Sequence, residues 1–267
     1  VHHLRSCEDF PDLQNRFYRF IESRYLTSVD GFIFNSRATK REVIRAGVNL
    51  KGRPSIIAYP AGGNPISDIT ESEIINRSRT VGPLRMVFLG NVIPRKGLHT
   101  LIQALQAIPD NLYHLDIVGN ISFDSNYGKQ IRQAICDGQM TNLVTIHGYL
   151  DEDQLGQILR KNHVMVIPST YEGYGISYLE GMGFGLPAVG TTAGGASEVI
   201  THGIDGYLVQ PGDAQALQQS ILELAQDRGK LLQMSLAAYR RYANHPTWAL
   251  TCNSIRDFLL RICKVNK

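Results

Sequence analysis

The chain has 267 residues, 43% of them hydrophobic, and a formal net charge of +3. That length supports a buried core in one large domain or two smaller ones, and the charge is too small and too evenly spread for the basic stripe of a nucleic-acid binder. No run approaches the ~20 apolar residues that span a bilayer, and the opening "VHHLRSCEDF" lacks the regions of a signal peptide. The expected location is the cytoplasm, with a peripheral membrane contact left open. Cys7, Cys136, Cys252 and Cys263 show no C-x-x-C spacing and no histidine partners for zinc, so they read as reduced thiols and no metal site is expected.

In chain order, "DLQNRFYRFIESRYL" sets Leu13, Phe17, Phe20 and Ile21 on one helical face. The strand "GFIFNS" follows, then the helix "SRATKREVIRAG", capped by Ser36 and stopped by Gly47. The strand "SIIAYP" ends at Pro60. Cations around this region read as a solvated helix face. Two strands are too few for a stable sheet, so residues 1–81 are expected to be part of an N-terminal domain whose earlier strands lie outside this sequence. Its last portion, "AGGNPISDITESEIINRSRTVGP", reads as a linker.

From residue 84 the apolar runs "RMVFLGN", "YHLDIVGN", "LVTIHGYL", "HVMVIPS", "LPAVGTT" and "GYLVQPG" alternate with helical segments. In "KGLHTLIQALQAIP", for example, Leu98, Leu101, Ile102, Leu105 and Ile108 recur at three- and four-residue steps. "DEDQLGQILRKN", "ISYLEGM", "ASEVITHG" and "DAQALQQSILELAQD" are further helices. This alternation predicts an α/β fold, a Rossmann-like doubly wound parallel sheet over residues 82–240. After Pro246, "TWALTCNSIRDFLLRICK" reads as a final amphipathic helix.

Ligands of such sheets bind beyond the carboxyl ends of the strands, where the strand order reverses. With the order 3-2-1-4-5-6, the loops at that point are "GNVIPRKG" and "PSTYEGYG". The second enters a helix near Gly175, so the free N–H groups at Gly175 and Ile176 and the positive helix end make an anion site. Gly173 and Gly175 allow close approach. Opposite, Arg95 and Lys96 offer full positive charges to a diphosphate; the plain alternative is surface cations at a helix start. Glu180, one turn into the helix, leans back toward the site and can accept hydrogen bonds from a vicinal diol such as ribose. Glu172 sits before the helix, on the far side of the phosphate position, where it can accept from hydroxyls on whatever the diphosphate carries. The plain alternative for this pair is a solvent-face acid and a loop acid.

A glycosidase pair of carboxylates is disfavoured by the phosphate site between them. Asp151 and Asp153, a D-x-D, read as helix capping rather than a metal site. No G-x-S-x-G elbow, G-x-G-x-x-G after a strand, or P-loop is present.

These residues resemble glycosyltransferase family 4, the retaining nucleotide-sugar transferases of GT-B fold. The resemblance runs from "VDGFIFNS" through "LGNVIPRKGLHTLIQAL" to "VMVIPSTYEGYGISYLEGMGFGLPAVGTTAGGASEVITHGIDGYLVQPGDAQAL". It implies a donor-binding domain at 82–240, a partial acceptor-side domain at 1–81, and a helix at 241–267 that crosses back to the latter. It assigns Glu172 to the donor sugar, Glu180 to the ribose and Lys96 to the diphosphate, with Arg95 as helper. Asn91, after Gly90, stands where the family often has an arginine. "VHHL" resembles the family's histidine loop, which selects His2, with His3 its neighbour. Gly195 is implied to line the site, together with Gly173, Tyr174, Gly175 and Ile176, while Glu198 reads as a helix-start acid. The implied activity is sugar transfer from a nucleotide-diphosphate sugar to a glycan, lipid or small-molecule acceptor, with no cofactor or metal. A nucleotide-sugar binding module without turnover, and another GT-B enzyme such as an epimerase, are the rival readings.

Overall fold

In the computed structural model, which describes residues 1–7, 10–62 and 68–265, a short 3-10 turn at Arg5–Cys7 leads into helix α1, Asp12–Thr27. Strand β1 (Phe32–Phe34), helix α2 (Arg37–Arg45) and strand β2 (Ser55–Ile57) follow, with the two strands paired in parallel. Ser36 caps α2 as its position predicts, its side chain accepting the Thr39 N–H. Phe32, Phe34 and Val43 join Leu4, Leu26 and Val48 in a small core. The apolar face of α1 lies outside that core: Leu13, Phe17, Phe20 and Ile21 are all exposed, Leu13 at 81%.

The expected linker contains a helix. Thr70 and Glu73 form a reciprocal capping box, and helix α3, Glu71–Arg79, runs on from it. Ile74 is fully buried, and the Arg77 guanidinium donates to the carbonyls of Phe184 and Gly185. The Gly, Asn and Ser content of the segment masked a T-x-x-E signal, and the cap with its buried isoleucine decides the local structure. Residues 63–67 of the same stretch lie outside the described residues.

The large sheet is built from β3 (Leu84–Leu89), β4 (Tyr113–Val118), β5 (Val144–Gly148), β6 (Val164–Val166), β7 (Ala188–Thr191) and β8 (Gly206–Val209). Its helices are α4 (Leu98–Leu105), α5 (Ser125–Asp137), α6 (Glu152–Lys161), α7 (Ile176–Gly183), α8 (Ala196–Val199), α9 (Ala214–Gln226) and α10 (Arg228–Ala243). All strands are parallel, in the order β5-β4-β3-β6-β7-β8, which is the order the sequence predicts. β3 and β4 are buried along nearly their whole length, as continuous apolar runs in parallel sheets are.

Helices α5 and α10 are additions to the elements the sequence singled out. Each starts at an aspartate whose side chain accepts a backbone N–H three residues on, Asp124 from Tyr127 and Asp227 from Lys230. α10 packs on α3 and α7. The last helix, α11 (Trp248–Val265), lies against the first segment: Thr251 Oγ1 donates to Tyr59 O at 2.8 Å, and Phe258 is buried. A cavity of about 870 Å3 lined by Thr27, Asp30, Arg53, Phe258 and Arg261 sits there, at the amino ends of β1 and β2.

Candidate functional site

The strand order reverses between β3 and β6, and the loops leaving them touch through backbone. Gly90 turns the chain out of β3 at φ +139°, and its N–H donates to Val118 O at 2.9 Å. The loop ends at Gly97, φ +70°, where an added Cβ would stand 2.0 Å from Pro168 O. Only glycine allows that approach. Thr170 N donates to Arg95 O at 2.8 Å, so the two cations of the first loop are pinned against the second. The Lys96 side chain lies over Gly90, and Asn91 is exposed.

Glu172 is 7% exposed. Lys96 Nζ and Ser169 Oγ each donate to its Oε1 at 2.7 Å, and Arg95 Nη1 stands 3.9 Å from Oε2 while donating to Tyr171 O at 2.7 Å. Burial is the largest influence on this carboxyl and pushes it up. The Lys96 charge and hydrogen bond, the Ser169 hydroxyl and Arg95 together outweigh burial, and the carboxyl rests below the usual glutamate range. Lys96 and Glu172, expected to serve the diphosphate and the sugar respectively, are in direct contact. A carboxylate this deeply buried needs a counter-charge, and Lys96 supplies it. Two further N–H donors remain on the ammonium.

Helix α7 is preceded by Gly175 at φ +103°, which gives it no side-chain cap. The Tyr178 N–H turns back to Gly175 O at 3.0 Å, and the N–H groups ahead of it, at Gly175 and Ile176, lie at the positive end of the helix, where an anion is favoured. An added Cβ at Gly175 would meet the Tyr178 ring at 2.5 Å; that ring is fully buried, its hydroxyl donating to Ile167 O at 2.7 Å. Glu180, one turn on, is half-buried, and its carboxylate makes no hydrogen bond to a described residue. Burial raises its carboxyl above the usual range, with Lys96 pulling partly against it. Ile176 is exposed at 39%.

Two expected ligand-facing groups have other partners. Tyr174 is 4% exposed, and its ring stacks on Tyr59 at 5.3 Å, beside His245. Gly195 backs the loop instead of lining open space: its N–H donates to Glu172 O at 2.7 Å, and an added Cβ would stand 2.6 Å from Gly173 O. Gly194, φ +71°, bridges Glu172 just as closely. His2 does reach the loop. Its carbonyl accepts Asn35 Nδ2 at 2.9 Å and would be 2.6 Å from a Cβ on Gly173, and its side chain is exposed. The His3 ring is 5.2 Å from the Tyr171 ring.

Sequence reasoning missed Ser169; Glu198 does stand in the first turn of a helix, α8, as expected, but its carboxylate has a second role that was not foreseen. The Glu198 carboxylate belongs to another helix, accepting Arg37 N–H at 2.9 Å and Ala38 N–H at 2.7 Å at the start of α2. No spacing announces a cap 160 residues away along the chain. Asp151 caps α6, with Gln154 completing a capping box, as expected. Among the described residues no group of three His, Cys, Asp or Glu could hold a metal, and no helix is long and apolar enough to cross a membrane.

The model of the family "Glycosyl transferases group 1" matches residues 71–241. The chain belongs to that family. The match begins at the first residue of α3, so the helix hidden in the expected linker is part of the matched segment. This group 1 glycosyl transferase is 28% identical over 188 residues to the amylovoran biosynthesis glycosyltransferase AmsK of Erwinia amylovora, covering 67% of this chain and 45% of AmsK. It is 30% identical over 174 residues to the D-inositol 3-phosphate glycosyltransferase of Pseudarthrobacter chlorophenolicus, covering 64% of this chain and 41% of that one. It thus spans under half the length of either. HepE from Anabaena, solved in complex with UDP and glucose, superposes with a TM-score of 0.81 at 24% identity over 97% of this chain and 70% of HepE. Sucrose-phosphate synthase from Thermosynechococcus elongatus gives 0.84 at 21% identity, over 99% and 67%. The expected GT-B fold is the fold of these structures.

Proposed function

We propose that this chain is the donor-binding part of a retaining family 4 glycosyltransferase, which moves a hexosyl group from a nucleotide-diphosphate sugar to an acceptor without a metal. One observation carries the reading: the two carboxylates that flank the start of α7 are both within reach of the Lys96 charge, Glu172 bonded to it and held below the usual range, Glu180 held above that range by burial against its pull. Lys96, Arg95 and the N–H groups of Gly175 and Ile176 bind the diphosphate. Glu180 accepts hydrogen bonds from the ribose diol, and Glu172 from sugar hydroxyls, with His2 reaching the sugar from the first segment. The HepE structure, which holds UDP and glucose, supports the choice of ligand class through a shared fold.

In the reaction the bond from the sugar C1 to the diphosphate oxygen breaks, and C1 bonds to the acceptor oxygen on the same face. The acceptor proton passes to the departing phosphate oxygen. Negative charge grows on the diphosphate as the bond breaks, so Lys96 and the helix start stabilise the transition state more than the ground state. Electrostatic neutralisation by these fixed groups does the work a cation does elsewhere.

The test is to offer the protein a panel of nucleotide-diphosphate sugars with glycan, lipid and small-molecule acceptors, and to read the product and its anomeric configuration by NMR, with and without EDTA. Transfer with retention, unaffected by EDTA, is expected. Binding without transfer makes the protein a nucleotide-sugar binding module. Isomerised donor makes it an epimerase.

A further inference from the structure

The start of α2 is docked on the candidate site from outside, and Glu198 holds it there. Its two carboxylate oxygens take the N–H groups of Arg37 and Ala38, donors that a helix start otherwise leaves without partners. The helix dipole favours the negative charge as well. Tyr59 donates its hydroxyl to Oε2 at 3.1 Å. Burial, then the Glu198 charge, pushes that phenol up, so it stays a donor around neutral pH. Arg241 Nη2 donates to the Glu198 carbonyl at 2.6 Å, fixing the residue to α10.

The same helix start grips the loop that carries Glu172. Ser36 and Thr39 are fully buried. Ser36 Oγ donates to Gly173 O at 2.6 Å, and Thr39 Oγ1 does so at 3.3 Å. The Glu172 carbonyl takes the N–H of Gly195, the residue from which α8 and Glu198 extend. A closed ring of contacts results: α2 start, Glu198, α8, Gly195, Glu172, Gly173, and back to α2. Lys96 meets this ring at the Glu172 carboxylate, and Glu180 is not one of its members.

We infer that Glu198 is a positioning residue, a latch that docks the start of α2 on α8 and thereby fixes the Glu172–Gly173 backbone against the transferred sugar. This rests on the function proposed above and deepens it: the latch serves the sugar side of the site and not the nucleotide side. It touches no substrate atom and acts through Glu172.

The experiment compares wild type, Glu198→Ala and Glu198→Gln. Nucleoside diphosphate affinity is read by calorimetry, kcat and donor KM by turnover, and backbone motion by hydrogen exchange of the 36–39 and 172–174 segments. Glu198→Ala is expected to keep the diphosphate Kd within about two-fold while kcat falls by up to about 100-fold, the scale of an ~1 Å misplacement. Both segments should exchange faster together. Glu198→Gln, whose amide oxygen still accepts one N–H, should recover part of kcat. Parallel losses of diphosphate affinity and kcat, or an unchanged kcat, would overturn the latch. So would faster exchange in 36–39 with none in 172–174. If wild type shows no transfer, the function proposal fails, and the exchange data still decide whether the latch exists.

Discussion

Glu172 and Glu180 flank the start of α7, separated by seven residues, and they sit in opposite electrostatic situations. Glu172 lies before the helix, is nearly closed off, and has its charge met by Lys96, Ser169 and Arg95. Glu180 lies on the helix, keeps its lone pairs free of any described partner, and is held above the usual carboxyl range by burial. The difference shows how one short loop divides its labour. The paired acid is fixed by the protein's own groups; under the proposed function, the unpaired acid is the one left for a ligand's hydroxyls.

The strongest way to break this contrast is Lys96→Ala. It strips the counter-charge from a buried carboxylate and should cost about 3 kcal/mol of stability, the low end for breaking a buried pair because Arg95 stays 3.9 Å away. Urea unfolding measures it, and adding Glu172→Gln should return part of the loss. Diphosphate affinity should fall by about 1.5–3 kcal/mol as well. If the single variant were as stable as wild type, the pair would not be fixing Glu172.

Gly194→Ala comes next. The residue has φ +71°, and its new Cβ would stand 2.0 Å from Glu172 O. Strain of about 1–3 kcal/mol is expected, released by moving Glu172 and leaving Glu180 in place. A lowered Tm and kcat with diphosphate affinity kept is the expected pattern; loss of diphosphate affinity first would mean the two acids are not separately held.

The smallest effect is in the pH dependence of stability, and its sign differs between the acids. The Glu180 carboxyl is raised above its ordinary 4.5, so its contribution is full below that value and is lost as pH rises through the folded value. The Glu172 carboxyl is lowered, so its contribution is full above 4.5 and is lost as pH falls through the folded value. Unfolding wild type, Glu180→Gln and Glu172→Gln between about pH 3 and pH 7 should give difference curves of opposite slope.

The strand order and the two site loops were legible because buried parallel strands are continuous apolar runs and because glycines mark the turns between them. α3 was not, since its cap signal stood among loop-forming residues whose composition dominated the reading. The burial of the Tyr174 ring depends on Tyr59 and His245, and the role of Glu198 on the start of α2. Such partners meet only in three dimensions, and no local period encodes them. The exposed face of α1 makes the complementary point: periodicity tells which face is apolar and says nothing of what lies against it.

The division between the two acids is tested most directly by four affinities: Glu172→Ala and Glu180→Ala, each titrated with a nucleoside diphosphate and with the matching nucleotide sugar. Glu180→Ala should weaken both ligands alike, by about 1–3 kcal/mol, because both carry the ribose. Glu172→Ala frees Lys96, so it should bind the bare diphosphate as well as wild type or better, and lose only the extra affinity that the sugar brings. Should Glu172→Ala cripple diphosphate binding while Glu180→Ala leaves it intact, the donor lies the other way round and the roles given to the two acids are wrong.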